Sequence, residues 1–244
     1  MATSKKRGIK SSAQDNFLQP DNVTSLTATD VGTNRPYLAT ANTTSAASAA
    51  GTGGAVTLSW TLPATSPAAT TYIITSTPST YTVDTGSSST SYTFQGLASN
   101  TSYTFTVKGQ NAQGTASGTT SSSVTATTIP QAPQSVSAAT NGANTNTISW
   151  TIGANGGKAL SSHSISGSDG TSYTGISAAA TSYNATDNTP SATSPGSQTY
   201  TVTAINANGT SLGATTGSVT TVAPFLDRKS TRLNSSHLVI SYAV

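Results

Sequence analysis

The sequence predicts an all-β chain built as two β-sandwiches in tandem, and three observations carry that prediction. First, apolar residues make up 34% of the 244 residues and charged residues only 7%. Disordered chains usually combine low hydrophobicity with many charges. Here the remainder is dominated by Thr, Ser, Ala, Asn and Gly, and Thr, Val, Ile and Tyr favour strands. A sheet buried on one face needs apolar side chains only at alternate positions, so this content suffices for two small cores. Second, the alternating runs Val56-Thr-Leu58-Ser-Trp60 and Thr147-Ile148-Ser-Trp150 each end on a tryptophan, 90 residues apart. Third, Phe105 to Thr115 aligns with Tyr200 to Thr210 at an offset of 95, sharing Asn111/Asn206 and Gly114/Gly209. Both copies then close on a Ser/Thr-rich strand, near Val124 and near Val219. Two repeats of short strands separated by turn signals read as a pair of sandwiches.

Taken in order, residues 1–19 read as a disordered basic arm. Lys5, Lys6, Arg7 and Lys10 cluster there, and no apolar run follows them, so the segment is not a secretory signal. The first unit spans 20–129. Val56, Leu58 and Trp60 share one strand face, Tyr72 and Ile74 the next, and Tyr92, Phe94, Tyr103, Phe105 and Val107 continue the period of two. The Ala/Thr/Ser/Gly stretch from Leu38 to Gly54 has no apolar period and reads as a long flexible loop. Ile129-Pro130-Gln-Ala-Pro133 reads as a short stiff hinge, because proline fixes φ and removes a ladder donor. The second unit spans 130–223.

Residues 224–244 are set apart as a non-native tail. From Asp227 onward the sequence resembles a translated DNA-sequencing adapter: Asp227 to His237 match the common adapter, Leu238 and Val239 fall where its index belongs, and Ile240 to Val244 match its continuation. The apparent end of the chain is therefore expected to be artificial.

A family resemblance follows from the motifs. The order is a Pro and a Val near the start, Trp60, Tyr72, then Ser91-Tyr-Thr-Phe94-Gln-Gly-Leu97-Ala-Ser-Asn-Thr-Ser-Tyr103-Thr-Phe105-Thr-Val107, with Asn111 and Gly114. This pattern resembles the fibronectin type III domain, an immunoglobulin-like sandwich, over most of residues 20–223. The resemblance implies that Leu97 and Tyr103 bracket a turn. It also makes Tyr103 a tyrosine corner whose hydroxyl bonds back to main chain. The structural core is then Trp60, Tyr72, Leu97, Tyr103, Phe105, Trp150, Tyr200 and Val202. The second unit departs from the pattern: Gln198 falls where Tyr103 stands, after a longer Pro/Ser-rich loop from Asp187, and weaker anchoring is expected there. Thr29-Asp-Val-Gly-Thr-Asn-Arg35-Pro-Tyr37 further resembles sandwich repeats in phage structural proteins.

Several chemistries are weighed against plainer readings. Residues 11–226 hold three basic and six acidic side chains, so the basic stripe of a nucleic-acid interface is missing. No cysteine is present, which removes disulfides and thiolate metal sites. No apolar run reaches membrane-spanning length. Val83-Asp84-Thr85-Gly86-Ser87 resembles an aspartic-protease loop, but that chemistry needs two carboxylates sharing a proton, and Asp-x-Gly equally makes a hairpin turn. His163, with no Cys or Glu to join it, reads as a residue on a sheet face. Asp30, Asp169 and Asp187 are isolated and read as turn caps rather than calcium ligands. Lys108 and Lys158 raise an isopeptide bond to Asn, for which no buried acid is evident. Sequons at Asn22, Asn42, Asn100, Asn184 and Asn208 arise freely in so Ser/Thr-rich a chain. Tyr81, Tyr173 and Tyr183 are candidate ligand contacts, able to stack on sugar rings near loops or edges.

The expectation is a non-catalytic structural and adhesion module without cofactor or metal, on a virion or cell surface. Its partners would be other structural chains or cell-surface glycans, with neither nucleic acid nor a membrane span involved. The alternative is an accessory module of a secreted polysaccharide-degrading enzyme.

Overall fold

The structure, a computed structural model, describes residues 18–41, 51–78, 81–142, 144–188 and 196–221. Expectations for the basic arm up to residue 17, the adapter-like tail, the middle of the Leu38–Gly54 loop and most of the Pro/Ser-rich loop lie outside them. The described residues contain strands and turns but no helix.

The first sandwich contains β1 (Thr24–Asp30), β2 (Gly54–Thr61), β3 (Thr71–Thr77), β4 (Thr82–Asp84), β5 (Ser91–Leu97), β6 (Thr101–Asn111), β7 (Gly114–Thr115), β8 (Thr119–Thr120) and β9 (Val124–Ala126). One sheet has the order β1-β2-β5; the other runs β4-β3-β6-β7, with β8 and β9 also pairing β6. All these pairings are antiparallel. Alternation sets which face is inside: β6 buries Tyr103, Phe105, Val107 and Gly109 while the residues between them face out. Trp60 meets Tyr72 edge-on at 4.9 Å, and Phe94 stacks on Phe105 at 4.8 Å across the two sheets.

The second sandwich contains β10 (Gln134–Thr140), β11 (Thr145–Thr151), β12 (Leu160–Gly167), β13 (Ser172–Ser177), β14 (Ser182–Thr186), β15 (Gly196–Gln198), β16 (Tyr200–Asn206), β17 (Gly209–Thr210), β18 (Ala214–Thr215) and β19 (Val219–Thr221). Its sheets are β10-β11-β14 and β13-β12-β16-β17, with β18 on β16 and β15 on β19. The long strand β6 is thus broken here into β15 and β16. Both sandwiches share a bulge in the first strand: the register shifts after Thr24 and after Gln134, with Ser25 and Ser135 at φ 52° and 50°.

The second core is smaller and more polar. Ile148, Trp150, Ile165, Ile176, Ala185, Tyr200, Val202 and Val219 form it. His163 is also fully buried, and its ring lies 5.3 Å from Trp150. His163 is thus a sheet-face residue on β12, as read, and the face it lies on is the inner one: it occupies the place beside the tryptophan that Tyr72 fills in the first sandwich. Its Nδ1 faces the Ser177 carbonyl at 3.1 Å, so that nitrogen must carry the proton.

At Gln198, where weaker anchoring is expected, the side-chain Nε2 is buried without a hydrogen-bond partner. Gln198 is buried, and its side-chain oxygen accepts from the Ser168 hydroxyl and, at 3.0 Å, from the Asp169 N–H. An amide clamps the neighbouring turn where the first sandwich uses a phenol.

Candidate functional site

The predicted core residues Trp60, Tyr72, Leu97, Tyr103, Phe105, Trp150, Tyr200 and Val202 are all buried. Tyr103 accepts the Ala98 N–H at 3.1 Å, the geometry of a tyrosine corner. Tyr81 is not an edge residue. It lies in the first core, and its hydroxyl donates to the Gly96 carbonyl at 2.8 Å. Tyr173 and Tyr183 lie against each other at 5.1 Å, half-buried on the second core. The Tyr173 hydroxyl is held by both backbone groups of Thr186, at 2.9 Å each. The two rings are inclined by 51°, so they form no flat platform.

The acidic candidates have structural partners. Asp84 ends β4 and accepts from the Thr71 hydroxyl and the Gly86 N–H, which hold its carboxyl below the ordinary range. Asp169 is pushed up by partial burial, but hydrogen bonds from the Thr171 hydroxyl and N–H outweigh that and leave it low. Asp187, read as a turn cap, is buried against Asn146 and Thr221. Among the described residues no three His, Asp, Cys or Glu gather as a metal site would require.

A group of buried polar residues lies where the sandwiches meet. The linker, expected to be short and stiff from its prolines, is packed into a filled joint. Ile129, Pro130 and Pro133 are buried. Thr127 is fixed from the first sandwich by Asp30, whose carboxylate accepts its N–H at 2.9 Å and also its hydroxyl. From the second sandwich, Asn206 donates to the Thr128 carbonyl at 3.0 Å and to the Asn155 carbonyl at 2.8 Å. Asn208 donates to the Thr127 hydroxyl at 2.7 Å and to the Thr128 carbonyl at 3.1 Å. Its own carbonyl accepts the Asn34 N–H at 2.8 Å, and Ile129 N–H reaches the Arg35 carbonyl at 3.0 Å.

Close approach of the backbones requires glycine at two places. A Cβ on Gly32 would overlap Thr127 Oγ1 and stand 2.7 Å from Asn208 Nδ2. One on Gly156, at φ +70°, would stand 2.5 Å from the Ile129 carbonyl oxygen. Arg35 braces the same region, donating to the carbonyls of Gly53 at 2.6 Å and Thr52 at 3.0 Å. Beside the joint, Pro36, Tyr37, Ile129, Pro130, Ala132 and the exposed Leu212 line an apolar cleft of about 240 Å³.

The Thr29–Tyr37 motif is therefore the first sandwich's half of the joint, and Asn206–Gly209 is the second's. Sequence reasoning singles out both segments, one for a resemblance and one for a repeat, but misses their meeting. The pattern Asp-x-Gly-x-Asn-Arg-Pro facing Asn-x-Asn-Gly was the available signal.

The fold defines a tandem pair of immunoglobulin-like β-sandwiches. Residues 42–127 match the family model of the fibronectin type III domain, whose members are typically non-catalytic structural and adhesion modules. No curated protein matches the chain. Among solved structures, the chain is similar to the FN1–FN3 domains of chicken CNTN1, at 16% identity over 84% of this chain and 67% of that one, with a TM-score of 0.44. It is also similar to a two-domain fibronectin type III segment from chicken tenascin, at 16% identity over 84% of this chain and 100% of that one, with a TM-score of 0.37. No helix among the described residues is long and apolar enough to cross a membrane.

Proposed function

We propose that the chain is a non-catalytic structural and adhesion module of a phage virion or surface protein, with its sandwiches working as a spacer of fixed angle. The observation that carries this reading is the joint. Flexible linkers leave their backbone groups to water, whereas here Thr127, Thr128 and Ile129 are hydrogen-bonded from both sandwiches. Such a joint transmits orientation from one module to the next. The charge-poor Thr/Ser surface suits many weak contacts with neighbouring structural chains or cell-surface glycans, made effective by copy number. Folding without any cysteine suits assembly inside a reducing cell. The likeness of Thr29–Tyr37 to phage repeats supports the same source.

Two measurements test this. Spin labels placed on each sandwich should give one narrow distance distribution, which Asn206→Ala combined with Asn208→Ala broadens; a broad distribution in the parent chain refutes a fixed spacer. Immunoblots of purified particles or washed cell envelopes from the source should contain the chain. Finding it in the cytosolic fraction alone refutes the virion and surface assignment.

A further inference from the structure

The second sandwich buries a set of groups that its fold does not need. Asn146 on β11, Asp187 just after β14, Tyr200 on β16 and Thr221 at the end of β19 are each 0% exposed. Asn146 Nδ2 lies 2.9 Å from the Tyr200 hydroxyl, 2.9 Å from Thr221 Oγ1 and 3.3 Å from Asp187 Oδ2. Thr221 Oγ1 donates to Asp187 Oδ2 and lies 3.0 Å from Asn146 Oδ1. A hydroxyl has one proton to give, and an ionised carboxylate is a stronger acceptor than an amide oxygen. With that proton on Asp187, the hydroxyl's lone pairs are held against the amide.

The first sandwich serves as an internal control. Val56 pairs with Asp30 and Phe94 as Asn146 pairs with Thr140 and Ala185. Ala126 pairs with Thr101 as Thr221 pairs with Gly196, and Phe105 pairs with Ser76 as Tyr200 pairs with Gly167. The positions of Asn146, Thr221 and Tyr200 are therefore held by Val56, Ala126 and Phe105, all 0% exposed. An apolar set closes that sandwich, while the polar set in the second carries the desolvation penalty of a buried carboxylate. A carboxylate, a hydroxyl and an amide converging in a dry site are the ingredients of acyl transfer.

We propose that Thr221 and Asn146 become joined by an intramolecular ester that ties β11 to β19. Asp187 takes the proton from Thr221 Oγ1 as that oxygen bonds to Asn146 Cγ. The Cγ–Nδ2 bond then breaks, its electron pair leaving on nitrogen, and Asp187 returns the proton there. Ammonia departs, the carboxylate is regenerated, and no oxidant or outside reactant is consumed. Fixed positions replace an encounter between separate molecules, and exclusion of water protects the ester from hydrolysis. The reaction happens once per chain, so Asp187 is a single-turnover base and acid. Tyr200 is a positioning residue: burial, and then the charge of Asp187, keep its phenol protonated against the amide despite the opposing hydrogen bond from Asn146.

The intact mass of the denatured full chain is the deciding measurement. It should be one ammonia below the sequence mass, and proteolytic peptides carrying residues 146 and 221 should emerge as one joined species. Asn146→Val, which installs the first sandwich's residue, and Asp187→Asn should both show no joined peptide and no ammonia loss. A parent chain of full mass overturns the proposal, and so does ammonia loss with the two peptides separate. Both of those outcomes are read on the parent chain, so they stand whether or not a variant folds.

Discussion

The Tyr103 hydroxyl spans the turn between β5 and β6 to reach the Ala98 N–H. Removing it strands a buried donor, which costs about 1–3 kcal/mol. Tyr103→Phe should lower the first sandwich's stability to urea by that amount and leave the second transition in place. Asp169 sets a matching expectation in acid. Its carboxyl is held low in the folded state, so its contribution is complete above the unfolded value of about 3.9. That contribution is lost as pH falls through the lower folded value. Urea midpoints of the second sandwich should drop over that acid window, and Asp169→Asn should flatten the drop. Tyr103 was legible because its motif is local. His163 was not, although it follows Trp150 by thirteen residues much as Tyr72 follows Trp60 by twelve. A sheet-face reading does not say which face, and only packing against Trp150 reveals that a half-satisfied imidazole fills a tyrosine's place. Tyr81 misled, since a residue beside a loop can still point inward.

At the level of elements, the turns β6–β7 and β16–β17 perform one task twice. Asn111 donates to the Leu18 carbonyl at 2.9 Å and to Ala68 at 3.3 Å, while its own oxygen accepts the Gln113 N–H at 3.0 Å. Asn206 does the same with Thr128, Asn155 and Asn208. Each turn thereby holds the segment that enters its own sandwich. Asn111→Ala should free the Leu18–Asn22 segment, seen as faster amide exchange there with the β3–β6 ladder unchanged. The repeat was visible in the sequence because the strands after the first tryptophan keep offsets of 90 to 95. The first strands break that rule, since β1 ends at Asp30 with β2 starting at Gly54, whereas β10 ends at Thr140 with β11 starting at Thr145. An insertion with no periodicity thus separates β1 from β2 and hid the equivalence of the two first hairpins.

On the scale of the whole chain, the joint decides how the two sandwiches behave together. Its residues come from Asp30, Asn34, Thr127 and Asn208, far apart in sequence, so no local pattern announced it. Limited proteolysis should cut exposed loops before it cuts Ile129–Pro133. Gly32→Ala, which drives a methyl group into Thr127 and Asn208, should expose that segment to early cleavage while leaving both cores folded. The outer faces have a different chemistry: Thr27 pairs with Ser59, Thr57 with Thr93, Ser102 with Thr125, Thr106 with Thr120, and Thr201 with Thr215, all at 2.8–2.9 Å. Uncharged dipoles have no counter-ion cloud to lose, and added electrolyte does not screen them as it screens separated charges. A chain clad this way should keep the same unfolding midpoint from dilute buffer to molar sodium chloride, so its outer faces are indifferent to the ionic strength around them.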